Sequence, residues 1–448
     1  MSLRRLSPAL SASPTLQVRV KRLGTWGLTH GLPRLGLHNA ARRGDLIARL
    51  TADPALRADP FGAYEQLRAR GPVAQGRLVR GSVDHAVCNA VLRSDDFGVG
   101  AGHPELPPVL QRAVARLYDE RALTPIDPPS LLAVDPPEHT RYRKLVARAF
   151  TARRVAGMEP LITQAAERLL DRLVERADDG GPVDLVAEYA GLLPVAVIAE
   201  LLGVPEQEHE LLLEWGNRAA ITLDPGLSWG QFRDADDAVR SLHDWFDSHV
   251  ARLRAEPGDD LLSHLATLPD EQVTEVELRA VGLLVLGAGF ETTVNLIGNA
   301  VALLDRHRDQ LRTLQAAPEG YANAVEEVLR FDSPVQLTMR VALADTEVGG
   351  RLFRHGEGIL TILGGANRDP ALFADPQVFD VSRENADQHL AFSAGVHFCL
   401  GASLARLEAR VALRLLYERF PDLRVRGTPV RRRTRVLRGF ERLPVSLR

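Results

Sequence analysis

Cys399 is one of two cysteines in 448 residues, and it stands in the run AFSAGVHFCLGASLAR, framed by Gly395, His397 and Gly401. The apolar spacing after it predicts a helix starting at Cys399 or Leu400, with Leu404, Leu407, Val411 and Leu415 on one face. A helix N-terminus carries partial positive charge and unbonded N–H groups. A thiol there is biased towards thiolate, the form that ligates metal or attacks an electrophile. Gly395 and Gly401 permit backbone geometry, and close approach of a flat ligand, that a side chain would block. On these residues alone the site is a metal thiolate, a nucleophile or an inert buried cysteine.

Three other groups carry chemistry. Glu291 and Thr292 interrupt the apolar run AVGLLVLGAGFETTVNLIGN, and buried polar groups need partners. In the same run Gly287 and Gly289 each cost a helix about 1 kcal/mol relative to alanine, so something uses the space they leave. DPPEHTRYR puts His139 and Arg143 on one helical face, either a solvated basic face or a seat for an anion. In EEVLR, Glu327 and Arg330 are spaced to pair on one face.

The elements that position these residues are mostly helical. From about Asp59 to Arg330 helical patterns dominate. Thr274 and Glu277 form a capping-box signature, and the helix it opens continues to about Asp305, roughly 45 Å of helix. Residues 94–130 are rich in glycine and proline, as a long functional loop would be. After Arg330 the sequence alternates and carries a Gly349–Gly350 turn, which predicts small sheets with hairpins. The fold class is mainly α with small β-sheets, in one large domain over residues 45–448. Residues 1–44 hold eight basic and no acidic residues, a basic N-terminal extension read as a loosely ordered tail.

Composition narrows the function. A net charge of −3 and a pI near 6.5 favour neither nucleic acid nor a charged membrane surface. Cys88 and Cys399 alone build no disulfide framework and no cysteine-ligated cluster, and they fit a reducing cytoplasm. No uninterrupted apolar run reaches the ~18 residues of a membrane span.

FSAGVHFCLG resembles the haem-binding loop of the cytochrome P450 family, F-x-x-G-x-H-x-C-x-G, with Ser393 where glycine is usual. Four further motifs follow the family's order: DPPEHTRYR, LGAGFETTVN, EEVLR and ANRDPALFADPQVFD. The resemblance, closest to soluble actinobacterial members, implies the cytochrome P450 fold, with haem b as cofactor and Cys399 as axial ligand to its iron. It implies that His139, Arg143, Arg340 and His397 contact the haem propionates, and that Phe392 shields the sulfur beside Gly401. Ala288 and Gly289 would face the haem, with Glu291 and Thr292 as the catalytic acid–alcohol pair that delivers protons. Glu327, Arg330 and Arg383 would form a structural network behind the cysteine loop.

The implied activity is a monooxygenase that activates O2 and hydroxylates or epoxidises a lipophilic molecule: a polyketide, macrolide, terpenoid, steroid or fatty acyl compound. Secondary metabolism is the implied setting, with a lean towards polyketide-like substrates. Electrons would come from NAD(P)H through a separate ferredoxin and ferredoxin reductase. Arg141, Lys144, Arg148, Arg153 and Arg154 would form the docking patch of a cytoplasmic monomer. The competing readings are a peroxide-using peroxygenase and a non-catalytic haem-binding or recruitment protein. Such proteins typically lose the acid–alcohol pair or the cysteine, and this chain keeps both.

Overall fold

The computed structural model describes residues 14–99, 119–177, 181–269 and 271–448. Most of the expected 94–130 loop therefore lies outside the described residues. The helix opened by Thr274 runs Glu275–Arg306, and both halves of its capping box form. Thr274 Oγ1 accepts from the Glu277 N–H at 3.3 Å, and the Glu277 carboxylate accepts from the Thr274 N–H at 2.9 Å. By length and composition alone this helix could cross a membrane. It is nevertheless the core of the fold, for from Phe290 to Leu304 every residue but Thr292 is buried. Helices Leu192–Leu201, Trp229–Ala255, Tyr321–Phe331 and Ala402–Arg419 pack around it.

The sheets are small. Arg80–Ser82, Gly358–Thr361, Thr338–Ala342 and Phe97–Gly98 form one sheet in that order, parallel only at its first pair. Its register sets Arg340 opposite Ile359. The predicted hairpin Thr346–Val348 to Arg351–Phe353 turns at Gly349 and Gly350, with φ of 58° and 70°. Near the C-terminus, Val430–Arg431 pairs with Phe440–Arg442, and Pro444–Ser446 lies between Val183–Asp184 and Arg424–Val425.

The tail expectation fails for the described part of residues 1–44. Helices Pro14–Trp26 and Leu32–Arg42 flank a π-helical turn at Gly27–Gly31, and all three lie on the body. The Trp26 indole N–H donates to the Leu227 carbonyl at 3.0 Å, and its ring meets Trp229 edge-on at 5.7 Å. Arg34 donates to the Gly226 carbonyl at 3.1 Å, and Arg22 reaches Asp236 and Asp237, each at 2.7 Å. A count of charges could not reveal these partners, which lie some 200 residues away in sequence. Trp26→Ala should raise hydrogen–deuterium exchange of amides 224–230 by up to about tenfold, the loss of one hydrogen bond and part of a ring. Exchange in Glu275–Arg306 should not change; unaltered exchange at 224–230 would show that the N-terminal helices do not hold that segment.

Candidate functional site

The cysteine loop is closed by its own backbone. The Cys399 N–H donates to the Phe392 carbonyl at 2.9 Å, across a 3-10 turn at Gly395–His397. The helix therefore begins at Ala402 with Gly401 as its N-cap, later than the spacing predicts, because the cysteine N–H is committed to the loop. Its buried face is also broader than expected: Leu404 and Val411 are buried, Leu407 and Leu415 half-buried, and Glu408 lies among them. Gly395 sits at φ 68°, and a Cβ there would lie 2.3 Å from the Leu92 carbonyl, so only glycine fits. Ser393 sits at φ 63° with its hydroxyl buried and unpartnered. The backbone thus keeps the left-handed geometry of the usual glycine, and the serine bears the strain.

Burial pushes the Cys399 thiol up, while the Gly401 N–H, Arg143 and Arg406 pull the other way. The loop alone does not make the thiolate that a helix start suggested; a coordinated metal ion would. Behind it, the Arg406 guanidinium lies 4.6 Å from the centre of the Phe392 ring and pairs with Glu326 at 2.7 Å.

Beside the loop stand four basic side chains. His139 and His397 have ring centroids 4.3 Å apart. His397 Nε2 is buried, 3.6 Å from Asp135 Oδ1 and without a hydrogen-bond partner. Burial, then Arg340 and His139, hold the His397 imidazole down at about 4, with Asp135 opposing them. Arg340 is buried, and its Nη1 donates only to Thr338 Oγ1 and the Met339 carbonyl. No carboxylate lies within ion-pair distance of it among the described residues, and burial lowers its guanidinium to about 10. Arg143 is half-buried, with Nη1 3.4 Å from the Val396 carbonyl. Two arginines without an ion-pair partner among the described residues thus stand beside two imidazoles whose proton affinity burial lowers.

On the long helix, Ala288 is exposed although its turn is otherwise mostly buried, and Gly287 has open space at its Cβ position. Thr292 Oγ1 donates to the Ala288 carbonyl at 3.2 Å. Gly289 is different: a Cβ there would meet Ile198 at 2.6 Å, so this glycine serves the packing of Leu192–Leu201 and does not face a ligand. Glu291 turns inward with its side chain 4% exposed, and Arg432 Nη1 lies 3.1 Å from its Oε1. Burial pushes the Glu291 carboxyl up to about 7, against the pull of Arg432 and Asn295.

Glu327 and Arg330 form a bidentate pair at 2.7 Å on both sides, wholly buried, and Arg383 Nε joins at 3.3 Å.

The sequence profile of the family described as "Cytochrome P450" matches residues 321–434. A Mycobacterium tuberculosis relative, whose name, cytochrome P450 140, carries no substrate, is 47% identical over 95% of this chain and 96% of its own. The chain belongs to the cytochrome P450 family. A second P450 relative, the 6-deoxyerythronolide B hydroxylase of Saccharopolyspora erythraea, is 42% identical over 70% of this chain and 76% of its own. Among solved P450 structures, Mycobacterium smegmatis CYP164A2 covers 90% of this chain and 99% of its own at 37% identity, with a TM-score of 0.79.

A P450 is a haem monooxygenase, and the residues fit that cofactor. A buried arginine without a carboxylate and an unpartnered buried imidazole suit the two carboxylates of haem. The exposure of Ala288 on a mostly buried helical turn, and of Val396 and Phe398 on the cysteine loop, suits contact with a flat apolar body.

Sequence reasoning missed Arg432 and Asn295. Asn295, one turn beyond Glu291 in an apolar helix, was a readable signal; Arg432 arrives by tertiary contact and left none. Replacing Ser393 by glycine should stabilise the protein by up to about 1 kcal/mol, through relief of left-handed strain and loss of an unpaired hydroxyl. Urea unfolding measures this, and a lower midpoint for Ser393→Gly would mean that the hydroxyl has a partner in solution.

Proposed function

We propose that this P450 inserts one atom of O2 into a C–H or C=C bond of a lipophilic molecule, with a macrolide- or polyketide-like compound as first choice. The observation that carries the reading is the Cys399 thiol in its closed loop with Arg143 near it, together with Arg340, which is buried without an ion-pair partner among the described residues. Cys399 would hold the haem iron, and bound haem would supply oxygen activation. His139, Arg143, Arg340 and His397 would hold its propionates, while Phe392 and the Gly401 N–H guard the sulfur.

Thr292 Oγ1, now bonded to a carbonyl of its own helix, can rotate to hold a water beside the reacting oxygen. Glu291 would refill that water with protons. Residues 217–232, 333–339 and 435–443 would orient the substrate, together with Leu284–Ala288. The macrolide lean is supported by the name of the 6-deoxyerythronolide B hydroxylase.

Electrons would come from NAD(P)H through a separate ferredoxin and its reductase. Lys144, Arg148, Arg153 and Arg154 are exposed and suit an acidic partner. Arg141 is committed to Glu277 instead. A cytoplasmic monomer agrees with this scheme.

Macrolactones, terpenoids, steroids and fatty acids should be screened for a low- to high-spin shift of the ferric haem protein. A hit, turned over with ferredoxin, reductase and NADPH under labelled O2, should gain one labelled oxygen. Thr292→Ala should keep the spectral shift yet lose product per NADPH by about tenfold or more, with the electrons appearing as peroxide. An unlabelled product, or unchanged coupling in Thr292→Ala, would contradict the reading.

A further inference from the structure

We propose that Arg432, on the hairpin joining Val430–Arg431 to Phe440–Arg442, is the positioning residue that sets when Glu291 releases its proton. The inference rests on the reading of Glu291 as the proton-delivering acid. Arg432 Nη1 is 3.1 Å from Glu291 Oε1, with the two side chains 9% and 4% exposed. Its Nη2 donates to Asn217 Oδ1 at 2.9 Å. Asn217 belongs to helix His209–Ala219, whose Gly216 packs against the Phe290 ring. The Arg432 N–H donates to the Gly439 carbonyl at 3.1 Å, and Gly439 is seated against Asn295. Three elements thus converge on one carboxylate.

Arg432 is the charged group that faces Glu291 among the described residues. The long helix contributes Asn295, His209–Ala219 contributes Asn217, and Leu192–Leu201 packs Ile198 against Gly289. Neighbouring arginines are directed elsewhere: Arg431 and Arg438 to Asp332, and Arg435 to the Pro225 carbonyl.

The pair is close without being locked. Both Glu291 oxygens, Arg432 Nε and both Asn295 amide atoms are buried with no hydrogen-bond partner. Buried polar atoms left in this way are normally met by water. The contrast is Glu327–Arg330, where two aligned hydrogen bonds join carboxylate and guanidinium directly. At Glu291 the cation favours the charged form, burial favours the neutral one, and the unpaired atoms offer hydrogen-bond partners to a water that carries the proton. In each cycle the carboxyl O–H bond breaks towards water, the carboxylate left behind pairs with Arg432, and a solvent proton restores it. Asn217 sits on a segment proposed to line the substrate pocket, so movement of its side chain against Arg432 would alter the proton affinity of Glu291.

The test is infrared titration of the haem-loaded ferric enzyme in the protonated-carboxyl C=O region, with Glu291→Gln identifying the band. Removing a cation from beside a carboxylate raises its proton affinity. Arg432→Met should therefore raise the pH at which the band disappears by a unit or more, about tenfold in proton affinity, and Arg432→Lys should restore most of it. The pH optimum for product per NADPH should move with the band. Should Arg432→Met fold poorly, Asn217→Ala, which frees the far end of the guanidinium, should shift the band in the same direction by less.

An unmoved band in folded Arg432→Met overturns the proposal. So does a moved band with unchanged coupling and pH profile, since the pair would then be structural only. If Glu291→Gln itself turns over normally, the proton-delivery reading fails, whatever the band does in the Arg432 variants.

Discussion

A wholly buried ion pair holds the thiol where it stands. Arg330 clasps Glu327 with two hydrogen bonds, and its remaining N–H groups reach the carbonyls of Asn367, Pro376 and Val378. Asn367 in turn accepts from the Leu390 N–H at 2.7 Å, at the entrance to the cysteine loop. Two charges taken out of water are costly, and either one left alone costs several kcal/mol more. The pair therefore tolerates one arrangement of the meander, and the meander one arrangement of the loop. Within that frame Ser393 can occupy a glycine conformation and Gly395 can rest against the backbone of Leu92.

The two faces of the site solve opposite electrostatic problems. Beside the loop, Arg340, Arg143, His139 and His397 crowd positive or basic groups together with too few anions, an arrangement that makes sense when a dianionic cofactor completes it. On the long helix the unsatisfied group is an acid, met by a single arginine from the chain's far end. Haem would neutralise the first imbalance. The second persists in the loaded protein, which is what an acid that must change its charge requires.

Much of this was legible in the sequence, for identifiable reasons. The capping box at Thr274 and Glu277, the Gly349–Gly350 hairpin and the Glu327–Arg330 spacing are local signals, and each appears as local structure. Contacts between distant segments were hidden. The helices of the N-terminal extension depend on Leu227, Gly226 and Asp236, so its charge pattern alone read as a tail. Gly289 looked like ligand space because a sequence cannot say that Ile198 lies beneath it. Arg432 was one basic residue in RRRTR, with no mark of its partner in the chain's middle. The helix at Cys399 was placed slightly early because propensity does not show that the cysteine N–H is already bonded.

The central claim is that Cys399, held by this frame, binds haem iron as a thiolate. The reduced, CO-bound difference spectrum of folded, haem-loaded protein tests it most directly. The account predicts the Soret band of thiolate-ligated haem in the native chain and its loss in Cys399→Ser with the fold retained. A native spectrum without that band, or a band that survives Cys399→Ser, would contradict it.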